Sequence, residues 1–178
     1  SIERDRVPEA PDRLGRLVVA VDPAVTYGPD ADDTGLVAAG SVGRGTDRNY
    51  YVLGDSTCHE APEVWAARAV KLWHALGADA IVYEANQGGD MVKSVLTQAA
   101  RDLRAKGEVP HTPKLVAVRA TRGKAVRAEP VAALYGQGRV HHVGQMAELE
   151  EQLTTWTPDD PDSPDRLDAL VWALTHLL

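Results

Sequence analysis

Two short apolar runs, each ending in an acid, constrain the fold of this chain more than any other feature. Leu17–Val21 (LVVAV) is followed by Asp22, and Ala80–Tyr83 (AIVY) is followed by Glu84. Short apolar runs rich in β-branched residues and bounded by polar residues are typical of buried strands. If the two strands are parallel neighbours, both acids leave the sheet at one edge, which is where ligand sites of open α/β sheets lie.

The rest of the pattern predicts an α/β fold with a mixed sheet flanked by helices. Gly35–Val42 and Tyr50–Leu53 are predicted strands joined to the first by short connections, which indicates an antiparallel meander of three strands. A further strand is predicted at Leu115–Val118 and a short one at Arg139–Val143. Helical periodicity predicts five helices. The first covers 62–76, the second is capped by Asp90, the third covers 123–135 with a kink or restart at Pro130, and the fourth covers 147–153. The last helix has Ser163 as its N-cap and Pro164 as its first residue. We expect five strands or slightly more.

Length and composition indicate one ordinary domain. The chain has 178 residues, of which 44% are hydrophobic, enough for a full core. We predict that residues 1–16 are a linker or a cloning remnant and that residues 17–178 form the domain. No apolar run reaches the roughly 18 residues of a membrane span, and no secretion signal is evident. The single cysteine, Cys58, excludes a disulfide framework and a CxxC zinc cluster.

The charge is acidic overall but unevenly distributed. With 26 acidic and 19 basic residues the net charge is −7, which argues against wholesale nonspecific binding of nucleic acid. The segment from Val109 to Ala128 contains no acid, and its basic residues are Lys114, Arg119, Arg122, Lys124 and Arg127. Such a local face can hold phosphates, with a strength that falls as salt rises. Ordinary solvated charges are the alternative interpretation.

A third acid joins the two strand-end acids as a candidate ligand. At about 100° per residue, Asp168 of the last helix lies next to the buried stripe, whereas Asp165 faces away and suits the helix dipole. Crowded carboxylates repel each other unless a cation joins them, and oxygen ligands favour Mg²⁺ or Mn²⁺ over zinc. Two such ions would activate water and stabilise the leaving oxygen of a phosphodiester. The alternative is that each acid only forms a turn or caps a helix.

The residues around these acids carry a family resemblance. The chain from about residue 17 to 178 resembles the nuclease domain of large terminase subunits, the DNA-packaging enzymes of tailed bacteriophages. The matching segments follow in the family's order and spacing. They are VDPA at 21–24, DTG at 33–35, YEAN at 83–86, GGDMV at 88–92, Lys124 with Arg127, Ala128 and Pro130, GRVHH at 138–142, LEEQL at 149–153, Trp156 and SPDRLDALVWA at 163–173.

The resemblance implies an RNase H-like fold and a two-metal endonuclease. Asp22, Glu84 and Asp168 would then be the catalytic, metal-binding triad for two Mg²⁺ or Mn²⁺ ions. Asp165 would be an auxiliary ligand, and Asp33 an outer candidate for which capping of the second strand is the alternative. Lys124 occupies a recurring position in the family and would neutralise the scissile phosphate.

The resemblance also implies partners and leaves two other functions open. The substrate would be concatemeric double-stranded DNA in the cytoplasm of an infected bacterial host. The partners would be an N-terminal ATPase domain of the same protein, the portal protein and the small terminase subunit. No GxxxxGK[ST] phosphate loop occurs, so we expect no ATPase activity from this chain. The alternatives are an RNase H-like junction resolvase and a noncatalytic module that grips DNA for the packaging motor.

Overall fold

Six strands form one mixed sheet. The computed structural model describes residues 1–24, 28–85, 88–162 and 164–178. The strands are β1 (Arg16–Asp22), β2 (Gly35–Val42), β3 (Asn49–Asp55), β4 (Ala80–Glu84), β5 (Leu115–Val118) and β6 (Val140–His142). Their spatial order is β5-β4-β1-β2-β3-β6. β1, β2 and β3 are antiparallel, β4 and β5 continue in parallel from β1, and β6 is parallel to β3. The predicted α/β fold with a mixed sheet and three antiparallel strands is confirmed.

Helices cover both faces of this sheet. They are α1 (Ile2–Asp5), α2 (Pro62–Leu76), α3 (Gly89–Ala105), α4 (Lys124–Gly136), α5 (Ala147–Thr155) and α6 (Asp165–Leu177). α4 continues through Pro130 as one helix. Among the described residues, no helix is long and apolar enough to cross a membrane.

Two predicted helix starts differ from the structure. Gly88 is the N-cap of α3, with φ of 66°, and Asp90 lies in the first turn instead of capping it. This left-handed conformation suits glycine, which has no Cβ. Pro164 is the N-cap of α6 and not its first helical residue, because its ψ of 146° is extended. The predicted N-cap Ser163 lies outside the described residues.

Alternate residues of β1 face two different helical layers. Leu17, Val19 and Val21 belong to the core cluster that contains the buried residues of α2 and α3. Val18 and Ala20 belong to the opposite cluster, which contains the buried residues of α4 and α6. Side chains of a strand alternate between the two faces of a sheet, and a strand covered on both faces is apolar throughout. This is why β1 has an unbroken apolar sequence.

α6 crosses β2 so closely that residue 35 has room only for glycine. A Cβ on Gly35 would overlap the backbone carbonyl oxygen of Asp165 and would lie 2.9 Å from its carbonyl carbon and 3.0 Å from the Cβ of Ala169. Eight of the thirteen residues of α6 are buried. The start of α6 therefore rests directly on the start of β2, which is paired with the end of β1.

The N-terminal residues lie against the β6 edge of the sheet. Val7 forms a parallel bridge with Val143. The guanidinium of Arg6 donates to both carboxylate oxygens of Glu150, at 2.7 and 2.8 Å. These hydrogen bonds lower the pKa of Glu150 to about 2, and the Nδ1 atom of the buried His142 lies 2.8 Å from the same carboxylate. Part of the segment predicted as a linker is thus packed on the domain, and the boundary at residue 17 stays a prediction.

We expect Gly35→Ala to destabilise the protein because the added methyl group meets backbone that cannot move aside. Overpacking of this kind costs about 2–3 kcal/mol. The free energy of unfolding from urea titrations measures the loss. Gly54→Ala is the matched control, because a Cβ at this other strand glycine meets nothing within 4 Å. Equal stability of the two variants would contradict the close approach of α6.

Candidate active site

Asp22 and Glu84 leave the sheet together, on the side of α6. The parallel register pairs Val21 with Tyr83, so the next residue of each strand is one of the two acids. Val82, like Val18 and Ala20 of β1, belongs to the core cluster of α6. Because strand side chains alternate, Asp22 and Glu84 follow these residues onto the same face.

Three acids act on Asp22 at this edge. Burial is the main cause that raises the pKa of Asp22 well above its usual value, and the negative charges of Asp168, Asp165 and Glu84 raise it further. Lys124 lowers it. A carboxyl group so placed binds its proton more tightly than an exposed aspartate does, and nearby positive charge opposes this. The structure therefore brings the three acids of the predicted triad, and Asp165 with them, into one electrostatic cluster.

Asp165 is part of this cluster and does not face solvent as its position on the helix indicated. Burial is the main cause that raises its pKa to about 7, followed by the charges of Asp32, Asp168 and Asp33. A hydrogen bond from the backbone N–H of Asp33 partly offsets these effects. The first turn of α6 sits on β2 at Gly35, and Asp165, although opposite the buried stripe, is half-buried there.

The loop before β2 supplies two more acids next to the cluster. Asp33 lies 3.1 Å from Nδ1 of His59 and 3.8 Å from Nη1 of Arg166. Its negative charge acts on Asp165. Asp32 also acts on Asp165 and was missed by the sequence analysis, although the acid-rich sequence DADD at 30–33 was a signal for it.

Arg166 holds the start of α6 in place and was also missed. Its Nε donates to Oδ2 of Asp55 at 2.9 Å, and its Nη2 lies 2.6 Å from Oε2 of Glu148. Asp55 is the last residue of β3, and Glu148 lies in the first turn of α5. The side chain of Arg166 is only 14% exposed. It therefore joins three elements at a point between Asp165 and Asp168.

The predicted DNA-binding residues divide into two groups. Lys124 is exposed, and its Nζ lies 3.6 Å from Oδ2 of Asp168. Arg119 follows β5, is exposed, and reaches the carbonyl of Ala85, immediately after Glu84, at 3.5 Å. The structure thus places both side chains beside the acid cluster.

Arg122 and Arg127 form the other group. Arg122 is exposed in the segment before α4. Arg127 is half-buried, and its Nη1 donates to the carbonyl oxygen of Arg122 at 2.7 Å. The guanidinium carbon of Arg127 also lies 4.9 Å from the centre of the Trp172 ring, a cation–π contact. Arg127 is therefore engaged within the protein.

The donor chemistry of the cluster fits a hard divalent cation. Its candidate ligands, Asp22, Glu84, Asp165 and Asp168, offer only carboxylate oxygens, which Mg²⁺ and Mn²⁺ prefer. Within the described ranges, however, no three His, Cys, Asp or Glu side chains stand close enough to hold one ion. To hold one ion, these side chains would have to draw together, which their mutual repulsion opposes in the absence of a cation.

A family model described as the terminase RNase H-like domain matches residues 19–177. The chain belongs to this family. Asp22, Glu84, Asp165 and Asp168 of this terminase domain all lie within the matched range. No curated protein matches the sequence significantly.

Solved structures with the same fold include several phage terminase domains. The P22 large terminase nuclease domain has a TM-score of 0.69 and 15% identity, covering 96% of this chain and 85% of that one. The nuclease domain of gp2 from bacterial virus Sf6 has a TM-score of 0.61 and 16% identity, covering 90% and 88%. The nuclease domain of g2p from bacteriophage SPP1, with bound Mn, has a TM-score of 0.53 and 13% identity, covering 93% and 89%. At these identities the likeness establishes the RNase H-like fold.

We expect Arg166→Met to destabilise the domain because it leaves Asp55 and Glu148 without their shared cation. The pairs are neither fully exposed nor fully buried, so the loss in free energy of unfolding is about 2 kcal/mol. Urea titration measures it. Arg101→Met on the exposed surface of α3 is the control. A loss no larger than that of the control would contradict the role of Arg166.

We expect Asp165→Asn to stabilise the metal-free protein in alkaline but not in acidic buffer. An unfolded aspartate titrates near about pH 3.9, and folded Asp165 titrates at about 7. Between these values the folded state keeps a proton that the unfolded chain has lost, so the free energy of unfolding falls as pH rises. With allowance for solvent screening, the variant gains about 1–2 kcal/mol over the native protein at about pH 8 and little at about pH 4.

Urea titrations in EDTA at the two pH values measure this difference. Asp12→Asn, at an exposed acid distant from Asp165 in the sequence, serves as the control and leaves the free energy of unfolding unchanged at both pH values. A gain from Asp165→Asn that is the same at both pH values would contradict the raised pKa.

Proposed function

We propose that this terminase domain is a metal-dependent DNA endonuclease that cleaves concatemeric double-stranded DNA during genome packaging. The observation that carries the proposal is the shared electrostatic cluster of Asp22, Glu84, Asp165 and Asp168 at one edge of the sheet. The neighbouring negative charges raise the pKa of Asp22 and of Asp165 and destabilise the metal-free site, a cost that positive charge at the same place removes. Membership of the terminase RNase H-like family supports the same reaction.

Two Mg²⁺ or Mn²⁺ ions are the proposed cofactors. Asp22 would contact both, with Glu84 and Asp168 holding one each and Asp165 as an auxiliary ligand. The relative from SPP1 carries bound Mn, which supports this choice of metal. Divalent ions bound there supply an activated water for attack on the phosphodiester and stabilise the charge that develops.

Lys124 is the residue of this chain that we assign to the scissile phosphate. Its ammonium group lies 3.6 Å from Asp168, a loose ion pair, and 53% of its side chain is exposed. When a cation satisfies Asp168, the ammonium group can turn to a phosphate oxygen instead. Lys124 is the first residue of α4, so the N-terminal helix dipole also favours an anion there.

Arg119 and Arg122 are proposed to hold phosphates of the DNA backbone next to the scissile phosphate. Both are exposed and lie in the acid-free segment from Val109 to Ala128, which also contains Lys124. Arg127 would act through Arg122, since its own guanidinium already contacts the Arg122 carbonyl and Trp172. Binding through phosphates carries little sequence preference and weakens as salt rises.

The larger assembly is part of the same proposal. The domain would work beside an N-terminal ATPase domain of the same protein, with the portal protein and the small terminase subunit, in the cytoplasm of the infected bacterial host. The family assignment supports this setting, since the terminase RNase H-like domain is named for the terminase of which it is a part.

Plasmid cleavage with Mn²⁺ or Mg²⁺ tests the activity. We expect the native protein to cut duplex DNA, EDTA to abolish cutting, and Asp22→Asn to slow it about 100-fold or more, because several kcal/mol of charge stabilisation depend on the ligands. Asp12→Asn, which removes a charge from an exposed site, cuts like the native protein. Equal cutting by native protein and Asp22→Asn, or no cutting in either metal with DNA binding intact, would contradict the proposal.

Two further measurements separate the alternative functions. A junction resolvase would prefer four-way junctions to linear duplex, so the same assay is run on both substrates. A noncatalytic DNA-gripping module would take up no Mn²⁺ through Glu84 and Asp168. Calorimetric titration of Mn²⁺ into the native protein and into Glu84→Gln and Asp168→Asn tests this directly.

A further inference from the structure

One groove on the described residues is lined by none of the four acids of the cluster. It has a volume of about 1230 Å³ and runs between α4 and α5, with α1 at one end and α6 beneath. Ala128 of α4, Leu153 of α5, Trp156 after α5 and Val171 of α6 form its apolar floor. Pockets for small ligands are usually about 300–1,000 Å³. The size of this groove suits a segment of protein.

The groove has acidic walls and contains no basic side chain within the described part of the chain. Four glutamates line it. Two of them, Glu3 and Glu150, are paired with Arg6. The other two, Glu129 on α4 and Glu151 on α5, are exposed, one on each long wall. An apolar floor between two negative walls repels nucleic acid and is complementary to an apolar segment flanked by positive charge.

We propose that this groove docks an amphipathic helix of a partner protein that carries an apolar stripe flanked by Lys or Arg. Helices bind helix-lined grooves through apolar side chains at i, i+3, i+4 and i+7. α4 has 13 residues, so the groove along it accommodates a helix of about three turns, some 20 Å long. The alanines of α4 on this side, Ala125, Ala128 and Ala132, allow its backbone to approach closely.

The position of the groove connects its occupant with the candidate active site. α4 begins with Lys124, and α6 carries Asp168. Trp156, Leu167 and Val171 line both the groove and the small pocket that contains Lys124 and Asp168. A helix bound in the groove would therefore contact the same three residues that line the pocket of the Lys124–Asp168 ion pair. The docking proposal itself does not depend on nuclease activity.

Binding of a synthetic probe helix tests the docking site. The probe is a fluorescein-labelled peptide of about three turns with a leucine stripe and lysine flanks, and a matched peptide has glutamate in place of lysine. Fluorescence anisotropy measures binding to the native protein, to Ala132→Arg and to Ala133→Arg. Both alanines are exposed neighbours on α4, but only Ala132 lines the groove. The two variants add the same charge to a protein of net charge −7, so nonspecific attraction affects them equally.

We expect the native protein to bind the lysine peptide about tenfold more tightly than the glutamate peptide. Ala132→Arg weakens binding about tenfold, and Ala133→Arg leaves it within about twofold. Circular dichroism checks that both variants are folded. Equal binding by all three proteins, equal binding of the two peptides, or no binding up to about 100 μM would overturn the proposal. Self-association of the native protein that Ala132→Arg abolishes would also overturn it, because a second copy would then be the occupant.

Discussion

The carbonyl group of Asp165 lies directly over Gly35, and this close approach sets the distance between the start of α6 and the sheet. Gly35 is paired with Asp22, the last residue of β1. The start of α6 is therefore held within the electrostatic range of Asp22, and Asp165 and Asp168 come with it. The acids repel one another, yet the burial of eight side chains of the same helix keeps it in place.

Much of the architecture could be predicted because it depends on local patterns. A run such as LVVAV between polar residues has few alternatives to a buried strand, and the acid that follows it must lie at the edge of the sheet. Both β1 with Asp22 and β4 with Glu84 are predictable in this way. The register of β1 with β4, which places the two acids on the same face, is not visible in either segment alone.

What the sequence did not reveal depends on contacts between distant segments. The helical period of α6 predicts the direction of Asp165 relative to the buried stripe. It does not predict that the first turn of α6 packs on Gly35 of β2. Arg166 contacts Asp55 and Glu148, which lie in β3 and α5 and have no spacing pattern in common. Arg127 could be recognised as basic, whereas its contact with Trp172 requires the packing of α4 on α6.

Because α6 both fills the core and carries two of the acids, its sequence is restricted in evolution. The first turn of the helix carries Asp165 and Asp168, and its buried residues from Leu167 to Leu177 fill the core, so a repacking that shifts the helix also moves the acids. Core substitutions elsewhere, for example between α2 and α3, face no such double requirement, because they lie on the opposite side of the sheet. Sequence drift among relatives should therefore be freer in that layer than along α6, even at positions that never touch a substrate.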